Sequence, residues 1–243
     1  MFSILGEGVL SHNPKTGAFI PTVTPLNDGT FIAAQQVGPE LGSRDHHIEI
    51  LRSENGRDWT NEGSVDMRDD ARPWSYHSAQ VYQVSDERLL LRASRFWNRD
   101  DPRQFEKPDP GMPRTGLIVL WSEDKGKSWS EPRFVDIPLP CEVYTHHVMG
   151  NLIKISDDRW MFPIQLNSPK HQYSGPDHHG AALLFTTDQG ENFGEFRILA
   201  QDPEGIIQYH DQFGILLEDG SLYTTLWTID TNANTDLNNH WVM

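Results

Sequence analysis

Three histidines, His77, His147 and His210, stand at the openings of separate apolar segments, where an imidazole can donate, accept or carry a proton near neutral pH. When the segments are aligned on their turns, Phe19 takes the same place in a fourth, with the His147 copy needing an adjustment of one residue. The segments return past Gln36, Ser94 or Arg95, Gln165 and Trp227, and the runs that follow begin near Asp45 or His46, Thr115 and His179. Brought together, these side chains would line a concave site with hydrogen-bonding and aromatic groups, with His47, His77, His147, His179, Arg95, Tyr209 and Trp227 suited to a hydroxyl-rich sugar. The pairs His46-His47, His146-His147 and His178-His179 also raise the chemistry of a zinc-like metal site. Neighbours on a strand point to opposite faces, so each pair offers at most one inward ligand; a metal is the minor reading, and no cofactor is expected.

The elements that must position these groups repeat. FIPTVTPLNDGTFIAAQQ from Phe19, HSAQVYQVSDERLLLRAS from His77, HHVMGNLIKISDDRWMFPIQ from His146 and HDQFGILLEDGSLYTTLW from His210 each read as strand, acidic turn, strand. Asp28-Gly29 and Asp219-Gly220 are signals of two-residue hairpin loops, because glycine supplies the positive φ that such turns need; the turns around Asp86-Glu87 and Asp157-Asp158 are weaker. A third short strand follows the first three hairpins (HHIEILR, GLIVLWS, GAALLFT) and leads to RSENGRDW from Arg52, SEDKGKSW from Ser122 and TTDQGENF from Thr186.

Those three stretches resemble the Asp box of sialidases and other bacterial-neuraminidase-repeat proteins, Ser/Thr-x-Asp-x-Gly-x-Thr/Ser-Trp. Asp124, Gly126, Ser128 and Trp129 match fully. Asp188 and Gly190 match with Phe193 in place of Trp, and the first copy keeps Gly56 and Trp59 with Glu54 at the Asp position. The anchors Trp59, Trp129 and Phe193 lie 70 and 64 residues apart, an interval suited to four-stranded blades with long loops. The resemblance implies an all-β, sialidase-type six-bladed β-propeller, of which a single partial domain, 1–243, would cover about three and a half blades: 19–70, 77–136, 146–199 and 210–243. A chain truncated at Met243 is the expectation, with closure by a second copy the alternative and Phe2 to Leu10 the candidate strand for closing the last blade. The boxes are read as structural turn staples.

Sialidases clamp the substrate carboxylate with three arginines, and this chain departs from that pattern. Phe19-Ile20-Pro21 has no arginine at the first place, Gln35, Gln36 and Val37 stand at the second with Arg44 nearby, and Trp227 stands seven residues after Gly220 where another arginine is expected. The acids are kept approximately. Asp45 falls at the acid/base position, and Asp211, nine residues before Gly220, falls where a glutamate activates the tyrosine nucleophile. A tyrosine equivalent would lie beyond Met243. The resemblance therefore implies a glycoside hydrolase in which Asp45 protonates the leaving oxygen and Asp211 acts as base or charge stabiliser. Sialic acid itself is disfavoured, because neither Phe nor Trp replaces a bidentate guanidinium. The alternatives are a uronate lyase, in which Tyr209-His210 or Tyr76-His77 with Arg95 abstracts a proton, and a non-catalytic glycan-binding propeller.

Composition sets the outer bounds. Lys plus Arg total 20 against 35 for Asp plus Glu, a formal charge of -15 that disfavours nucleic acid or anionic membrane as partner of the surface as a whole. Cys141 is the only cysteine, so no intrachain disulfide framework exists. The start, MFSILGEGVLSHN, lacks a basic and apolar leader pattern, which reads as cytoplasmic, or as secreted or periplasmic if a signal peptide has been removed. Oligomeric state is left open. The long stretches Arg95 to Pro113 and Leu166 to Asp177 read as loops over the sugar site.

Overall fold

The computed structural model describes residues 9–12, 15–40, 46–65, 74–97, 115–137, 145–148, 150–168, 178–233, 235–236 and 239–242. Asp45, Arg44, most of Phe2 to Leu10 and the greater part of both long loops lie outside the described residues. Every regular element among the described residues is a strand. The first sheet holds β1 (Gly17–Pro25), β2 (Phe31–Gly38), β3 (His47–Ser53) and β4 (Thr60–Val65), paired in that order. The second holds β5 (Trp74–Gln83), β6 (Leu89–Trp97), β7 (Thr115–Ser122) and β8 (Arg133–Val135) in the same order. In the third, β9 (Thr145–Val148) and β10 (Ile153–Lys154) share one edge of β11 (Trp160–Ser168), followed by β12 (His178–Thr186) and β13 (Glu195–Ala200). In the fourth, β14 (Ile207–Leu216) pairs with β15 (Leu222–Asp230), whose other edge carries β16 (Thr235–Asp236) and β17 (Asn239–Val242). These antiparallel up-and-down sheets are the blades of a propeller. The chain divides into two compact units, one of residues 1–106 and 118–133 with the first blade and most of the second, the other of 107–117 and 134–243 with the third and fourth.

Central strands are buried on both faces, which is why FIAAQQV, LLLRAS and WMFPIQL read as near-continuous apolar runs rather than alternations. In the first unit Ile32, Ala34, Ile48 and Ile50 of blade one pack with Val81, Leu89, Leu91, Ala93, Ile118 and Leu120 of blade two. In the second unit Ile153, Met161, Leu183 and Phe185 pack with Leu222. Each such Leu, Ile or Phe contributes about 1.5–3 kcal/mol by leaving water.

One irregularity recurs near the opening of each innermost strand. Register shifts fall between Phe19 and Thr22, His77 and Gln80, and His210 and Phe213, and the residue after each first-named one has positive φ: Ile20 at 48°, Ser78 at 54° and Asp211 at 46°. Blade three breaks outright, and the cause is legible in the sequence. Pro163 lies in β11 with no N–H to give, β9 pairs from Ile164 onward and β10 pairs only at Trp160 and Met161, so the inner strand is interrupted beside the proline. Gly150 fills the gap at φ 77°, where a Cβ would overlap the Gln212 carbonyl oxygen and crowd Pro163.

The three turns with Asp-box resemblance share one bonding scheme. Ser122 Oγ donates to Asp124 Oδ1 at 2.7 Å and accepts the Gly126 amide at 2.7 Å, while Asp124 Oδ1 accepts the Ser128 amide at 2.9 Å. Bonds from Ser128 and Ser122 hold the Asp124 carboxyl down at about 2. Thr186, Asp188, Gly190 and Asn192 repeat the scheme. In the first copy the acid position falls on Asn55 and not on Glu54. Asn55 Oδ1 accepts the Arg57 and Asp58 amides at 2.8 and 2.9 Å, and Gly56 donates to Ser53 Oγ at 2.8 Å. This turn is one residue shorter: Lys125 and Gln189 precede their glycines with positive φ, whereas Gly56 alone has it here. Trp129 packs on the core of the first unit, and Phe193 meets Phe162 edge-on at 5.0 Å.

The hairpin loops also differ from the two-residue expectation. Leu26 donates to the Thr30 carbonyl at 2.8 Å and Gly29 to the Leu26 carbonyl at 3.0 Å, which makes a three-residue loop ending in a left-handed glycine, and Leu217, Gly220 and Ser221 repeat it. A two-residue type I′ turn needs positive φ at both central positions, and Asp28 and Asp219 do not adopt it. Their carboxylates accept the amide and hydroxyl of Thr30 and Ser221 instead.

Gly150→Ala should destabilise the fold by about 2 kcal/mol or more, combining left-handed strain with overlap on the Gln212 carbonyl. Gly29→Ala, with open space around the added Cβ, should cost only the backbone component of about 1 kcal/mol. Urea denaturation of both variants measures the difference.

Candidate active site

Cross-strand register places the sequence-selected openings at one level of each blade. Phe19 pairs with Gln36, His77 with Ser94, His147 with Gln165, and His210 with Trp227. In the first unit the Gln36 side chain, fully buried, links three segments. Its Nε2 donates to His46 Nδ1 at 3.3 Å and its Oε1 accepts the Ser78 amide at 3.1 Å. His46 Nε2 donates to the Glu40 carbonyl, and its ring lies 5.6 Å from Phe19 and 5.1 Å from His77. His77 Nε2 in turn meets Ser75 Oγ at 2.9 Å. With His46 and His77 at 0% and 1% exposure, this cluster is sealed.

The second unit holds the same residue types in a more open setting, with the glutamine turned to the inner-strand histidine. Gln165 Nε2 donates to His210 Nδ1 at 3.0 Å and Gln165 Oε1 accepts the Asp211 amide at 3.4 Å. His210 packs between His179, at 5.0 Å, and Trp227, at 5.4 Å, and its Nε2 donates to Gln208 Oε1 at 3.3 Å. Trp227 is 42% exposed. Burial, followed by the neighbouring His179, pushes the His210 pKa down to about 4, so the ring is neutral at pH 7. Asp211, half-buried at its left-handed position, has a carboxyl raised by burial and accepting no hydrogen bond among the described residues. Burial and then Asp202 raise the Tyr209 phenol. A neutral imidazole, a carboxyl that holds its proton to higher pH than usual and an open indole face form a setting in which a proton can be delivered to an oxygen beside a stacked ring.

Other sequence-selected residues are placed differently. Of the first histidine pair it is His46 that joins the cluster. His47 points to the opposite face, 3.7 Å from Glu49 Oε1, because successive strand residues alternate. Tyr76 is 1% exposed in the apolar core of the first unit, which removes it as a base for a ligand, and Arg95, its register partner, is half-buried. His147 is placed by its backbone alone, and Asp45 falls outside the described residues. Among the described residues no group of three His, Cys, Asp or Glu side chains is arranged to hold a metal ion. The bridging role of Gln36 and Gln165 and the part played by Gln208 were not legible in the sequence. The signal available was that both bridging glutamines fall opposite the inner-strand openings.

His210 has a consequence for stability. Its folded pKa lies below the ordinary 6.5, so on acidification the unfolded chain takes up the proton first. Its contribution is complete above pH 6.5 and is lost as pH falls toward 4, whereas the raised Asp211 adds stability as pH falls. In His210→Asn, roughly 2 kcal/mol of the wild-type stability loss between pH 7 and pH 5 should vanish. Urea midpoints of both proteins at the two pH values provide the measurement.

No family model and no curated protein sequence matches the chain. Solved structures do. A protein of unknown function from Dyadobacter fermentans is 17% identical over 92% of this chain and 65% of its own, with a TM-score of 0.72. The Hadza microbial sialidase Hz136 is 17% identical over 91% of this chain and 46% of its own, with a TM-score of 0.64. The α-L-arabinanase of Penicillium chrysogenum, complexed with arabinobiose, is 15% identical over 93% of this chain and 62% of its own, with a TM-score of 0.61. The chain thus spans about two thirds or less of the length of each of these three proteins. Its antiparallel sheets are the blades of a sialidase-type β-propeller, the fold it shares with these sialidase and arabinanase structures.

Proposed function

We propose that the chain belongs to a glycoside hydrolase that binds a sugar at the inner-strand openings, with Asp211 as an acid/base or charge-stabilising carboxyl and Trp227 as the stacking surface. The observation that carries this reading is the placement of Asp211. A half-buried carboxyl sits at a left-handed residue held through its amide by Gln165, next to a histidine packed at a tilt against an exposed indole. Backbone strain costs of order 1–3 kcal/mol and is found where a group must be aimed. The likeness to a sialidase and to an arabinanase holding arabinobiose supports a carbohydrate substrate. Phe19 and Trp227 at two places of the arginine clamp argue for a sugar other than sialic acid. Asp45, by its sequence position, is assigned the protonation of the leaving oxygen.

Elimination at Tyr209-His210 is less well supported, because both nitrogens of His210 are engaged by glutamine side chains and offer no lone pair to a substrate proton. On a panel of aryl glycosides and plant or host glycans, a reducing sugar should appear. Asp211→Asn and Asp45→Asn should each lower kcat about 10²- to 10⁴-fold, while Trp227→Ala should act mainly by raising KM. New ultraviolet absorbance in place of a reducing end would mark a lyase, and binding without product would mark a lectin-like propeller; either outcome refutes hydrolysis.

A further inference from the structure

The same four parts occur at equivalent places in each unit, with the glutamine turned to a different histidine in each. Gln36, His46, His77 and the Ser78 amide in the first correspond by register to Gln165, His179, His210 and the Asp211 amide in the second. His46 and His179 both stand two positions before the residue opposite their glutamine, and His77 and His210 both begin the bulge of the next inner strand. In both, a backbone amide from a left-handed residue donates to the glutamine oxygen. In both, the glutamine nitrogen faces a histidine Nδ1, though not the equivalent one: Gln36 meets His46 at the opening of the third strand, whereas Gln165 meets His210 of the next inner strand.

The direction of these bonds follows from chemistry alone. A backbone N–H can only donate, so the glutamine oxygen is the atom that receives it, and the amide cannot be turned over without leaving that N–H unmatched. The glutamine NH₂ carries donors only, so the imidazole nitrogen it meets must be the bare one. The ring proton is then on Nε2, and in each unit Nε2 faces an oxygen acceptor: the Glu40 carbonyl for His46 and Gln208 Oε1 for His210. Donors and acceptors run one way through the whole string, from backbone amide to glutamine to imidazole to acceptor.

We infer that Gln165 is a positioning residue that locks His210 as the neutral Nε2–H tautomer and ties that lock to the backbone of Asp211, and that Gln36 does the same for His46 and Ser78. The glutamine does two things with one planar group. It stabilises the left-handed residue of the bulge by accepting its amide, and it selects one of two imidazole tautomers that would otherwise be close in energy. His210 is thereby a rigid wall between His179 and Trp227 and not a proton acceptor. This goes beyond the hydrolase reading and does not require it, since the tautomer is a property of the protein without substrate.

The test reads the ring nitrogens directly, in heteronuclear spectra of the full chain, with the His210 signals identified by their loss in His210→Asn. Wild-type protein should show the proton on Nε2 of His210 at pH 7, with charging only near pH 4. The groups facing the ring are His179 from β12, Trp227 from β15, Gln165 from β11 and Gln208 from its own strand, with Asp211 next in sequence. In Gln165→Glu, close to isosteric, the carboxylate can only accept. It should move the proton to Nδ1 and raise the titration midpoint by about one to three pH units. Gln36→Glu should shift His46 in the same sense and leave His210 untouched. An Nδ1–H signal for His210 in the wild type overturns the inference, as does Gln165→Glu with tautomer and midpoint unchanged. If either glutamate variant fails to fold, the wild-type spectrum still decides. Loss of turnover in Asp211→Asn bears on the hydrolase reading alone, so the two can fail separately.

Discussion

Burial of the central strands on both faces, in β2, β6 and β11, is the constraint on which the rest depends. These strands are sealed almost completely, so each of them requires apolar partners on both its faces. That requirement brings the inner strands of consecutive blades together within each unit. Thr22 and Thr24 then donate to the Ala79 and Val81 carbonyls at 2.9 and 2.5 Å, and Asn151 exchanges two bonds with Gly214. Side chains bridge here because each inner strand is the last of its own sheet on that edge, and its remaining backbone groups would otherwise lack partners.

The bulges convert this stacking into a site. A straight inner strand would continue its alternation to the end and give each opening residue the same environment as the strand below. The left-handed residue at Ile20, Ser78 and Asp211 shifts the register, so that the residue before it and the residue itself leave the regular pattern. In the first unit the displaced His77, with His46 and Gln36 beside it, is fully enclosed and acts as polar core. The same geometry in the second unit leaves Trp227 open and the Asp211 carboxyl half-buried. One architecture therefore serves as a structural polar cluster in one place and as a candidate reactive site in another, and the difference lies in what covers it.

The Asp-box turns are closed by local bonds and seated by a few distant ones, such as the Lys125 amide on the Glu87 carbonyl and Trp129 and Phe193 on their cores. Their serine or threonine, acid or amide, and glycine close one small ring of hydrogen bonds, and Asn55 can stand in for an aspartate because only an oxygen acceptor is needed. The first turn closes the same ring with one residue fewer between its serine and its glycine.

What the sequence by itself determined follows from this locality. Four hairpins, three glycine turns and the alignment of Phe19, His77, His147 and His210 were legible because each rests on residues a few positions apart. Even the break in blade three was readable in principle, since Pro163 has no N–H wherever it sits. The length of the hairpin loops, the shift of the acid position from Glu54 to Asn55 and the turning of His46 rather than His47 inward were not, because a single inserted or deleted residue changes which side chain faces which way. Gln165, His210 and Asp211 illustrate the larger gap. They are separated by about 45 residues, and nothing local distinguishes Gln165 from any other polar residue at a strand end. Only the packing of one blade on the next gave its amide a backbone N–H on one side and an imidazole on the other, and with them a direction.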